Sequence, residues 1–103
     1  MKSKPHLLLR HTLEFWVIKR SQLFDPDYYQ QAYPKFQKKV PFPLWHYIQH
    51  GWRQGMNPSP QFDTSFYLQQ YPDVRQAGVN PLVHYIRKGR AEGRLPRQAV
   101  RRI

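Results

Sequence analysis

The feature that most restricts this chain is a duplication. Phe24-Asp25 returns as Phe62-Asp63, and the same shift of 38 residues maps Tyr29 onto Tyr67, Tyr33-Pro34 onto Tyr71-Pro72 and Pro43-Leu44 onto Pro81-Leu82. It also maps His46-Tyr47-Ile48 onto His84-Tyr85-Ile86, Gly51 onto Gly89, Gly55 onto Gly93 and Pro58 onto Pro96. Without a gap, 14 of the 35 aligned positions are identical, so the two stretches are copies of one unit. A chain of this kind buries its core by stacking one supersecondary unit on the next. It divides into a lead segment 1–23, copy one 24–58, a three-residue joint, copy two 62–96 and a basic tail 97–103, all in a single domain.

Each copy reads as two helices. Asp25 and Asp63 stand where a carboxylate accepts the free N–H groups of a first helical turn. Pro26 follows at the first helical position, where a missing N–H costs nothing. Phe24 with Tyr29, and Phe62 with Tyr67, have the spacing of a hydrophobic staple. Pro34 and Pro72 should end the first helix, because the residue before proline is pushed out of the α region. A short extra turn is expected over Asp73 to Ala77, closed by Gly78. Asn80 caps the second helix of copy two, Pro81 opens it, and Leu82, Tyr85 and Ile86 line one face. Gly89 is expected at a left-handed end. In copy one Phe42 stands in place of the capping Asn, which predicts a less clean start or a packing role for Phe42. The lead segment, roughly His6 to Leu23, reads as an amphipathic helix with Leu9, Leu13, Trp16 and Val17 on one face, which meets either this chain or another molecule. Alternating β patterns are absent. The expected fold is all-α: two tandem helical hairpins with the lead helix across them.

Charge and composition narrow the function. Seventeen Lys and Arg face six Asp and Glu, a net charge of +11, which favours an anionic partner. The chain has no Cys, so disulfides, thiolate metal sites and Cys nucleophiles are excluded. Its most apolar stretch, Leu7 to Ile18, contains Arg10, His11 and Glu14 and is too short for a span of about 20 residues. A signal peptide is not expected, because Glu14 interrupts the apolar run and no small-residue cleavage site follows.

The repeat itself resembles a known bacterial element. Phe62-Asp63-Thr64-Ser65-Phe66-Tyr67-Leu68-Gln69-Gln70-Tyr71-Pro72-Asp73-Val74 is similar to its first half. Ala77-Gly78-Val79-Asn80-Pro81-Leu82-Val83-His84-Tyr85-Ile86, with Gly89 and Glu92-Gly93-Arg94, is similar to its second half. Such repeats accompany large polysaccharide glycosyltransferases, including those resembling rhamnan synthesis protein F, and occur in some secreted repeat proteins. The lead-in Ile18-Lys19-Arg20-Ser21-Gln22-Leu23-Phe24-Asp25 resembles the segment that precedes the repeat in the glycosyltransferase setting. The resemblance covers about 18–96. Copy one departs from it at Lys35, at Pro41-Phe42-Pro43 and at Gln54-Gly55-Met56. In those proteins the repeat is accessory, so the resemblance implies neighbourhood rather than activity.

Candidate chemistry is sparse. His46 and His50 have the i, i+4 spacing of two ligands on one helix face, but the counterpart of His50 is Lys88 and nothing completes a zinc set. His46 and His84 read instead as partly buried rings bonded to a backbone group or a Tyr hydroxyl. The carboxylates, Glu14, Asp25, Asp27, Asp63, Asp73 and Glu92, offer no acid–base pair, and Ser21, Ser59 and Ser65 have no evident base. No catalytic, metal or cofactor-binding residue is therefore nominated. The repeated aromatics Phe24, Tyr29, Tyr33 and Tyr47, with their copy-two counterparts, read as core. Trp52 has no aromatic counterpart and is expected to be an exposed contact. The basic residues gather late (Arg87, Lys88, Arg90, Arg94, Arg97, Arg101 and Arg102), with other groups at Lys35, Lys38, Lys39 and at Lys2, Lys4, Arg10, Lys19, Arg20. The expected function is a non-catalytic interaction module tied to surface-polysaccharide synthesis. Its expected partner is a glycosyltransferase or another cell-envelope synthesis protein, or an anionic membrane surface. Trp52, Arg87, Lys88, Arg90, Arg94 and Arg97 are its expected contacts, and its expected place is cytoplasmic, peripheral at the inner face of the cytoplasmic membrane. The alternative is a nucleic-acid-binding protein using the basic C-terminal half.

Overall fold

The computed structural model describes residues 5–33 and 41–99, with side chains from residue 9 onward. The Pro34 helix stop, the lysines at 2, 4, 35, 38 and 39, and the arginines at 101 and 102 lie outside the described residues. The described chain is all-α. Its helices are α1 (Pro5–Ser21), α2 (Pro26–Ala32), α3 (Pro43–Gln49), α4 (Thr64–Gln70), α5 (Pro72–Ala77) and α6 (Pro81–His84). A 3₁₀ turn, Gly51–Gln54, follows α3, and a π-helical segment, Tyr85–Gly89, continues α6.

The helix starts follow from their caps. Asp25 accepts from the Tyr28 N–H at 3.0 Å, and Asp63 does the same for Phe66 at 3.0 Å. Asn80 Oδ1 accepts from both Leu82 and Val83. Phe42 gives α3 no side-chain cap and is 68% exposed, so the helix starts on Pro43 alone and Phe42 does not pack. Pro72 both ends α4 at Gln70 and opens α5, which Gly78 closes at φ 67°.

The duplication is reproduced in the bonds that close each copy and in its aromatic cluster. Each copy closes on itself: Asp25 N–H donates to Pro58 C=O and Asp63 N–H to Pro96 C=O, both at 2.9 Å. Inside each loop a fully buried tyrosine, Tyr29 or Tyr67, is ringed by Phe24, Tyr33 and Tyr47 or by Phe62, Tyr71 and Tyr85. Tyr47 and Tyr85 meet the central ring edge-on, at 6.0 and 5.9 Å, the geometry that the ring quadrupole favours. Tyr33 and Tyr71 accept backbone N–H groups from Asn57 and Leu95, again at matching positions.

Gly51 and Gly89 make room for this cluster. A Cβ at either would stand 2.1 Å from the hydroxyl of Tyr29 or Tyr67. Gly89 was expected in a left-handed conformation, but its φ is not positive; the left-handed glycines after these helices are Gly55 and Gly93, both at φ 78°. Gly89 is small because of what lies above it.

The copies are joined by Thr64, which is fully buried. Its N–H donates to Asn57 Oδ1 at 2.8 Å and its hydroxyl donates to Met56 C=O at 2.7 Å. With that proton committed, Thr64 Oγ1 accepts from Tyr47 OH at 3.0 Å.

α1 lies across α3 and α6 and holds both copies. Ile18 and Glu14 are buried, with His11, Phe15 and Ser21 half-buried beside them. Leu9, Leu13 and Trp16 of the apolar face read from the sequence are 61%, 57% and 55% exposed; of that set Val17 is half-buried. Phe15 stacks on Trp45 of α3 at 5.1 Å and 19°, which fixes the rotation of the helix.

Two stability predictions follow from these contacts. Gly89→Ala should destabilise by about 1–3 kcal/mol, the usual range for overpacking, measured by urea unfolding. Asp63→Ala should cost about 1 kcal/mol through loss of its cap. An unchanged midpoint for Gly89→Ala would contradict the close approach.

Candidate docking site

The residues with chemical potential are mostly held inside the copies. Tyr29 OH is bonded to His46 Nδ1 at 2.6 Å, and Tyr67 OH to His84 Nδ1 at 2.8 Å. Burial pushes the Tyr67 hydroxyl up to about 12 and raises Tyr29 further. Burial also holds His46 and His84 below the ordinary histidine value of 6.5. Both members of each pair are therefore neutral at neutral pH, which suits a structural bond rather than proton transfer. His46 and His50 have ring centroids 5.8 Å apart, and among the described residues no group of three metal-ligating side chains comes together.

The expected contact residues separate into two sets. Trp52 is a correction: it is 8% exposed, and its indole N–H donates to Ile48 C=O at 3.1 Å one turn back. It fills the core of copy one and offers no contact surface. Arg94 is engaged within copy two. It grips Asp73 with two parallel bonds of 3.0 and 2.9 Å, pairs with Glu92 at 3.0 Å and lies 4.7 Å above the Tyr71 ring. Asp73 is held below the usual carboxylate range, first by that hydrogen bond. Arg97 is exposed and donates to Pro60 C=O, tying the end of copy two to the joint. Arg90 is exposed beside the Tyr85 ring, with its guanidinium 5.8 Å from the centroid. Arg87 and Lys88 are exposed on the π-helical segment.

A groove runs between α1 and the α6–π segment. It encloses about 710 Å³ and is lined by Leu9, Leu13 and Val17 on one side and Val79, Asn80 and Val83 on the other. Arg10, Arg87 and Lys88 stand around it. Glu14 also lines it; its carboxyl is buried, is paired with Arg10 at 3.6 Å, and is raised above its ordinary value by burial against the opposing pull of Arg10. The sequence places Leu9 and Leu13 on one helical face without fixing what that face meets, so it does not reveal the groove. Its available signal was that His11, Glu14, Phe15 and Ile18 form an equally regular stripe.

No protein-family model matches this chain, and no curated protein or solved structure is significantly similar to it.

The histidines set a pH dependence. His11, like His46 and His84, is lowered chiefly by burial. Below pH 6.5, the ordinary value, the unfolded chain takes up protons that these folded rings refuse. Stability therefore falls as pH drops through that range, and the loss is complete once pH passes the folded values. Glu14 has the opposite sign, but only in the carboxylate range near and above 4.5. The thermal midpoint should decline between about pH 7.5 and 5.5, and His46 and His84 should titrate below 6.5 by NMR. A midpoint flat across that range would contradict the assignment.

Proposed function

We propose that this protein is a non-catalytic docking module of bacterial surface-polysaccharide synthesis, engaging an anionic partner protein through the face formed by α1 and the α6–π segment. The observation that carries the docking role is the orientation of the lead helix. Its more apolar stripe, Leu9, Leu13 and Trp16, points outward beside the exposed cations Arg10, Arg87 and Lys88. Exposed apolar surface bordered by polar groups marks interaction sites. The interior supports the same reading, since its tyrosines, histidines and Asp caps are committed to each other and to backbone. The polysaccharide setting comes from the resemblance of the repeat, and fold-level likeness alone does not carry activity.

The test is a nuclease-treated pull-down of the full chain from its native lysate, read by mass spectrometry. Recovery of a polysaccharide glycosyltransferase is the expected result. Reversing Arg87, Lys88 and Arg90 to Glu should abolish that recovery with a nearly unchanged melt, because all three are exposed. Binding that disappears with nuclease, and falls steeply with salt, would overturn the proposal in favour of nucleic acid.

A further inference from the structure

We infer that the groove between α1 and the α6–π segment seats an acidic amphipathic helix of the partner; this rests on the docking reading above. The groove has the dimensions for it. Leu9 to Val17 spans about 12 Å of helix, roughly two turns, enough for anchors at i, i+3 or i+4, and i+7. One wall is the α1 stripe of Leu9, Leu13 and Val17 at helical spacing, and the other is Val79 and Asn80 of the α5–α6 loop with Val83 of α6, so an added helix would lie alongside α1. Val83 and Asn80 are buried at the floor, where a planar surface resting on the crests of Leu9, Leu13 and Trp16 does not reach.

Two observations fix the chemistry of the occupant. The first is charge. Arg10, Arg87 and Lys88 border the groove, and its one carboxylate, Glu14, is already paired with Arg10. A second copy of this chain would set these cations, and a net +11, against their own kind. An acidic helix meets opposite charge along the Arg87–Lys88 rim, while Arg10 on the α1 rim is shared with Glu14. The second is Asn80. Its Oδ1 is spent on the N–H groups of Leu82 and Val83, and its Nδ2 is buried with no partner among the described residues. Backbone carbonyls of a partner helix are used within that helix, so a Glu, Gln, Asp or Asn side chain is the matching acceptor once Asn80 Nδ2, which is closed to solvent in the free protein, is uncovered on binding.

The experiment is an NMR titration of the full ¹⁵N-labelled chain with 16-residue helical peptides. The panel places Leu at i, i+3/i+4 and i+7, with Glu on both flanks, in three registers; a control panel replaces each Glu by Lys. At least one Glu peptide should bind and shift the Asn80 side-chain amide with the backbone signals of Leu13 and Val83. The Lys peptides should bind at least tenfold more weakly, and the Arg87→Glu/Lys88→Glu variant should lose at least tenfold with its melt unchanged. Asn80→Asp keeps a capping acceptor and removes the donor, so it should weaken binding; if it melts early, the charge variant decides. Three results would overturn the inference: binding by none of the Glu peptides, equal binding of the Lys peptides, or the same signals shifting only with phosphatidylglycerol vesicles. Should the glycosyltransferase still be recovered by the groove variant, the groove assignment fails while the docking role stands. Recovery of nucleic acid alone fails the docking role whatever the peptides do.

Discussion

Each copy is organised by a tyrosine hydroxyl set between a histidine ring and a bare glycine. The hydroxyl must be buried, because its ring is the centre of an aromatic cluster, and a buried hydroxyl needs a partner. His46 and His84 supply that partner at Nδ1. The contact is possible only if the backbone carrying Gly51 or Gly89 passes directly over the oxygen, where a Cβ would collide. Three elements of the unit, its first helix, its second helix and the turn after it, are thereby fixed by one polar atom. The backbone bond from Asp25 to Pro58, and from Asp63 to Pro96, then draws the end of the unit back to its start.

The copies reach this geometry by different routes. In copy one the backbone shifts from α to 3₁₀ after Gln49, while in copy two it widens into a π-helical segment whose bond runs from Arg90 N–H to Tyr85 C=O. Beneath the tyrosine, Met56 of copy one corresponds to Arg94 of copy two. Met56 Sδ receives the Tyr29 hydroxyl at 3.5 Å, whereas Arg94 leaves that place to clamp Asp73 and cover Tyr71. The tyrosine-centred cluster keeps its geometry between copies, and the differences fall in the residues around it. Thr64 is one such difference: it replaces Pro26 and carries the three hydrogen bonds that weld the copies.

Much of this was legible before any coordinates. The 38-residue shift predicts two equivalent units, and the caps at Asp25, Asp63 and Asn80 stand where their side chains and following residues place them. The tyrosine–histidine bond was foreseeable from the recurrence of His46 and His84. One reading was open and two failed, for physical reasons. α1 carries two regular stripes, and hydrophobicity alone does not settle which of them meets this chain. The stack of Phe15 on Trp45 and the pairing of Glu14 with Arg10 favour the stripe of Glu14, Phe15 and Ile18, and neither is visible in periodicity. Trp52 lacks a counterpart in copy two, which suggested exposure; its indole instead finds an acceptor one turn back and can be buried. Gly89 was assigned a backbone role when its constraint is steric. The groove between α1 and the α6–π segment was not legible for the first of these reasons, because its wall is the stripe whose partner the sequence leaves open.

The central claim is that the tyrosine hydroxyl and the opposing glycine are one interaction. A double-mutant cycle on Tyr67→Phe and Gly89→Ala tests it directly. Removing the hydroxyl leaves the tyrosine Cζ 3.3 Å from the new Cβ, a contact that slight movement relieves. The account predicts that Tyr67→Phe rescues Gly89→Ala, with a favourable coupling of about 1–3 kcal/mol in urea unfolding. Additive losses, with the double variant no better than the sum of the singles, would show that the glycine is required for some other reason and would contradict the account.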